Sequence, residues 1–143
     1  MKPNARTAIG TLLFLVTAAA VAGGFLLVGS PTEARVRRLD IRRVEDLRQI
    51  SNAIDTYWNR RKTLPESVDE AGTLAGWKPN SRDPVTNEPY AYRAIDLAAK
   101  QYELCATFER AADVAPSYGD PVSAHGSGRQ CFTLIAHEQG RRP

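Results

Sequence analysis

The sequence predicts an α+β fold: a long amphipathic helix packed on a small antiparallel sheet, preceded by an N-terminal transmembrane helix. Three observations predict it. No charged residue occurs between Thr7 and Thr32. From Thr32 to Lys62 there is neither glycine nor proline, and apolar residues recur there at helical spacing. Beyond Lys62, short apolar runs with strand-like alternation are separated by segments rich in Gly, Pro, Asn and Asp.

Composition narrows the function classes. The 143 residues leave room for one domain, and 43% hydrophobic with 24% charged residues is ordinary globular usage. Two cysteines are too few for a disulfide-built miniprotein or a four-cysteine zinc site. With two histidines and no glycine-rich phosphate loop, no catalytic residues, cofactor or metal are expected. The formal charge of +3 is unevenly spread. Residues 31–62 carry nine Lys/Arg against five Asp/Glu, and residues 63–143 carry eight against eleven. A nucleic-acid-binding domain needs its positive field on the folded surface, so no nucleic-acid partner is expected. Basicity beside an apolar stretch reads instead as a juxtamembrane segment.

Residues 8–28 are the expected single span, because at about 1.5 Å per residue they rise about 31 Å, close to a bilayer's hydrocarbon thickness. A cleaved signal peptide and a buried helix are the alternatives. The expected division is 1–29 for tail and anchor, 30–62 for the long helix, and 63–143 for a small α+β domain packed on 44–62. A positive-inside count places the domain in the cytoplasm. The cysteine pair favours an oxidising compartment, and the reading adopted is the bacterial inner membrane with the domain outside the cytoplasm.

Ser30-Pro31-Thr32-Glu33 is a helix start, with Ser30 as cap, Pro31 at the first helical position and Glu33 completing a capping box. Val44, Leu47, Ile50, Ile54, Tyr57 and Trp58 form one apolar stripe, read as core or as a coiled-coil seam. Glu33 to Arg43 is expected to be mostly solvated. Its arginines Arg35, Arg37, Arg38, Arg42 and Arg43 either touch anionic lipid or form a solvated face.

Leu64-Pro65 ends the helix, and a short helix begun by Pro65 is expected to close at Gly72. Leu74 and Trp77 are candidate core residues. Strands are expected at Tyr90–Ile95, Gln101–Phe108 and Gln130–Ile135, with a loop over Asp113–Arg129. Before the first strand, Asp83-Pro84 starts a turn and Asn87 can adopt the left-handed conformation. Pro89 stands at a strand start, and Tyr90 and Tyr92 share a face that can cover the helix. Cys105 and Cys131 fall in the two best strands. A disulfide between them would close a loop of about 27 residues and contribute about 3–4 kcal/mol; two buried thiols, or a metal pair joined by His125, are the alternatives. Ser123 with His125, His137-Glu138 and Asp69-Glu70 read as solvated or structural. Trp58, Trp77, Tyr90 and Tyr92 read as core, or as an aromatic platform.

The order of these pieces resembles type IV pilin-like proteins, above all the major pseudopilin of type II secretion. It runs from a span through a continuing helix to Tyr57-Trp58, then Leu64-Pro65-Glu66-Ser67-Val68, then Asp83-Pro84-Val85-Thr86-Asn87-Glu88-Pro89-Tyr90-Ala91-Tyr92, then Tyr102-Glu103-Leu104. The layout is also similar to that of uncharacterised single-span bacterial proteins. The prepilin cleavage signature is missing: the nearest match, Gly24-Phe25, lies at the far end of the span, with Gly29 at the glutamate position. The resemblance implies a non-enzymatic, membrane-anchored extracytoplasmic protein acting by protein–protein contact in an envelope assembly. A pseudopilin subunit and an accessory subunit of a large integral-membrane complex are the alternatives.

Overall fold

The computed structural model describes the backbone of residues 5–28, 30–112 and 120–138, and the side chains of 8–24, 30–112 and 120–138. The elements are α1 (Ala5–Val28), α2 (Pro31–Arg61), α3 (Val68–Ala75), β1 (Ala91–Asp96), β2 (Gln101–Phe108), a 3₁₀ turn (Pro121–Ser123) and β3 (Gly128–Ile135). The chain forms two compact units, Met1–Arg35 and Val36–Pro143. Residues 113–119 of the expected loop, and the tail beyond 138, lie outside the described residues.

The first unit holds α1 and the opening of α2. Among the described residues, no helix is long and apolar enough to cross a membrane. The expected span at 8–28 is corrected accordingly. A span needs about 20 predominantly apolar residues. Among the described positions 8–24, Ala, Gly and Thr, which add little hydropathy, fill the places other than Ile9, Leu12–Val16 and Val21. The membrane anchor and the inner-membrane placement are set aside with it. The α+β part of the expected fold class remains. At the start of α2, the Ser30 hydroxyl accepts the Glu33 N–H at 3.2 Å, a side-chain N-cap.

In the second unit, β1, β2 and β3 form one antiparallel sheet in that order. Strand alternation sends Tyr102, Leu104, Ala106 and Phe108 of β2 inward, where all four are buried. They share a core with Val44, Leu47, Ile50, Ala53, Ile54, Tyr57 and Trp58 of α2. Helical spacing places this set on one side of α2, so the stripe is core. Trp77 is 40% exposed, against its expected core place, and Leu74 packs at the core's margin.

The connections are set by local chemistry. α2 ends at Arg61 and Lys62 turns left-handed, with φ 57°. The next helix starts later than expected, at Val68, because Ser67 is its cap and accepts the Glu70 N–H at 3.2 Å. Glu70 is no plain surface acid. Its carboxylate accepts the Glu66 N–H at 2.7 Å and the Tyr57 hydroxyl at 2.5 Å. The tyrosine bond, then the Glu66 N–H, lowers the Glu70 pKa. Gly72 does not close α3 but lies inside it, because a Cβ there would stand 2.7 Å from Pro79 Cδ. The closing residue is Gly76, left-handed with φ 84°.

The turn over residues 83–88 is tied to Asp83. Its Oδ1 accepts the N–H groups of Val85 and Thr86 at 2.8 and 3.0 Å, and its carbonyl accepts the Asn87 N–H at 2.9 Å. Asn87 is left-handed, with φ 58°. Pro84 lies inside this turn, and Pro89 forms an isolated bridge with Arg82 ahead of β1.

Candidate functional site

Three features of the second unit combine polar chemistry with burial or exposure in unusual ways: a charged cluster inside α2, a groove beside it, and the outer face of the sheet.

Arg43 is 2% exposed, although it stands in the stretch expected to be solvated. Its Nε donates to Asp83 Oδ2 at 2.6 Å and its Nη1 to Asp40 Oδ1 at 2.8 Å. The expected lipid contact through Arg43 is therefore corrected: both faces of its guanidinium fork are taken by buried carboxylates. Arg35, Arg37, Arg38 and Arg42 are exposed. Asp40 also accepts the Glu109 and Arg110 N–H groups at 3.1 and 3.0 Å. The cluster thus ties α2 both to the 83–88 turn and to the end of β2. Burial alone lowers the Arg43 pKa, but hydrogen bonds and charge from Asp83 and Asp40 outweigh it and raise it. Burial pushes Asp83 up, yet Arg43 and the backbone N–H groups prevail and hold it at about 2.

One turn further along α2, Asp46 is also buried. It accepts the Tyr90 hydroxyl and the Asn80 amide, each at 2.9 Å. Burial first, and the Asp46 carboxylate second, push the Tyr90 pKa up. Tyr92 donates to the Pro65 carbonyl at 2.8 Å, and burial raises its pKa to about 12. Tyr90 and Tyr92 thus cover α2 and hold its exit, which is a scaffold role. Nothing in the local sequence pattern singled out Asp40, Asp46 or Asn80; acids on a charged helix read as solvated until their partners are known.

A groove of about 220 Å³ runs along the adjoining face of α2, bordered by Asp40 of the cluster. Arg37, Ile41, Glu45 and Arg48 present one face to it, with Arg110 and His125 opposite. Ile41 is 59% exposed. The His125 ring stacks on Phe108 with centroids 3.7 Å apart, and the His125 carbonyl accepts the Ala112 N–H at 2.8 Å. Arg48 pairs with Asp120 and, at 3.6 Å, with Glu45. Ser123 donates its hydroxyl to the Asp120 carbonyl at 2.8 Å, a turn-closing bond.

Cys105 and Cys131 form a disulfide across directly opposed positions of β2 and β3. It lies on the outer face, away from α2. His125 is stacked on the inner side, so the group that meets the cysteines is Glu103: the three ligand-capable atoms lie within 4.8 Å of one another. Arg93 of β1, opposite Glu103, donates to it at 3.2 Å. A second, more polar cleft of about 340 Å³ adjoins this face, with Asp83, Glu88, Cys105, Glu109 and Arg129 in its wall.

No family model, curated protein or solved structure matches the chain.

Proposed function

We propose that this chain is a non-enzymatic interaction protein whose second unit binds an acidic, apolar-bearing protein segment in the groove along α2. The observation that carries this reading is the groove's make-up. An exposed isoleucine lies among three arginines, beside His125, whose ring stacks on Phe108. Apolar anchors rimmed by arginine are what protein interfaces are enriched in. The charge favours an acidic occupant. Among the described residues Arg37 has no carboxylate partner, while Arg48 is matched by Glu45 and Asp120 and Asp40 by Arg43, so the groove's edge presents an unmatched positive charge.

Selection of a random displayed-peptide library on the purified chain tests this. Enriched peptides should combine Asp or Glu with a large apolar residue. Binding should weaken with salt, fall about tenfold or more in Ile41→Asp and Arg37→Glu, and be unchanged in Val85→Asp. No enrichment, or binders indifferent to positions 37 and 41, overturns the reading.

A further inference from the structure

We propose that the outer face of the sheet carries a redox-gated site for a soft divalent cation of the zinc class, formed by Cys105, Cys131 and Glu103 once the disulfide is reduced. The register places Cys131 directly opposite Cys105, and Glu103 two residues before Cys105 on the same face. Two sulfurs and a carboxylate oxygen therefore lie within 4.8 Å of one another before any cation is present. In a tetrahedral centre with bonds of about 2.0–2.3 Å, neighbouring ligand atoms stand about 3.5 Å apart. Side-chain rotation can supply that adjustment once the sulfurs are no longer bonded. Thiolates select zinc-like cations over magnesium or calcium, and three protein ligands leave a fourth position for water.

Access comes from both sides. Cys131 is exposed, and Cys105, though buried, lines the polar cleft. A dithiol reductant balances the step. Its thiolate attacks Sγ of Cys131, the Sγ–Sγ bond breaks, and Cys105 leaves as thiolate. The second thiol then displaces Cys131 and closes the reductant's own disulfide. Two electrons pass to the protein. The two thiols take up two protons, which the cation releases on binding. Arg93 holds Glu103 at 3.2 Å and so competes with the cation for the carboxylate.

The test uses the full chain, reduced by a dithiol without denaturant, freed of reductant under anaerobic conditions and given Co²⁺ or Cd²⁺ alone. Thiolate-to-metal charge-transfer absorption should saturate at about one cation per chain and be absent from the oxidised chain. Glu103→Gln should weaken binding about tenfold or more while keeping the absorption, and Arg93→Ala should tighten it. The cation should raise the melting midpoint of the reduced chain, or restore its fold if reduction unfolds it. Resistance to the dithiol, absence of the absorption, unchanged affinity in Glu103→Gln, or no gain in midpoint or fold each overturns the proposal.

Discussion

Arg43 illustrates how one side chain can organise its surroundings. A buried guanidinium is tolerated only where every charge it meets is matched, and here two carboxylates and four backbone N–H groups share that task. Arg43→Met should cost about 3–5 kcal/mol of stability, measured by denaturant unfolding, because Asp40 and Asp83 would be left buried and unpaired. Asp83 also links stability to pH. Its folded pKa is about 2, below the ordinary 3.8. A depressed carboxylate stabilises the fold above its unfolded pKa, and that contribution is lost as pH falls through the folded value. Unfolding curves from pH 6 to pH 2 should therefore show about 2 kcal/mol disappearing between about pH 4 and pH 2. Asp83→Asn should flatten that limb. Trp58 presents the opposite case. Among the described residues its Nε1 is the buried side-chain polar atom without a hydrogen-bond partner, while Lys100 Nζ stands 5.3 Å from the ring centroid. Trp58→Phe should change stability by less than about 1.5 kcal/mol, since the lost volume is offset by removing an unpaired donor.

Among the elements, α3 depends on its ends and on one close approach. Ser67 caps it, Gly76 closes it, and Gly72 lets it meet Pro79. The glycine at 72 is a spacing requirement, since Pro79 Cδ would lie 2.7 Å from an added Cβ, and the proline ring cannot rotate away. Gly72→Ala should destabilise the chain by about 1–3 kcal/mol in thermal melts despite alanine's better helix propensity. That role was not legible in the sequence, where Gly72 reads as a helix stop; the clash partner lies beyond the helix end. The β2 alternation was legible, because a half-buried strand writes its two faces into every second residue. So was the α2 stripe, whose period alone distinguishes its covered side. The boundaries of α3 shifted because Ser67 outcompetes Pro65 as the starting residue: only its hydroxyl can accept the Glu70 N–H.

For the molecule as a whole, the disulfide joins positions 26 residues apart and holds β3 against β2 at the sheet's edge. Reduction should lower unfolding stability by about 3.5 kcal/mol in the chain-entropy account, read from denaturant curves with and without a dithiol. Helical and strand periods, turn chemistry around Asn87 and the pairing of two cysteines were open to reading from the chain alone, because each depends on neighbours a few residues away or on there being just two candidates. The burial of Asp40, Arg43 and Asp46 was decided by folding. Their partners Asp83, Asn80, Tyr90 and the 109–110 backbone are distant in sequence, and a charge is placed inside only when such partners arrive to replace water. The groove beside α2 has the same origin: Ile41 and the arginines around it are unremarkable on an isolated helix. They become a recess only where the end of β2 and the Phe108–His125 stack rise beside them.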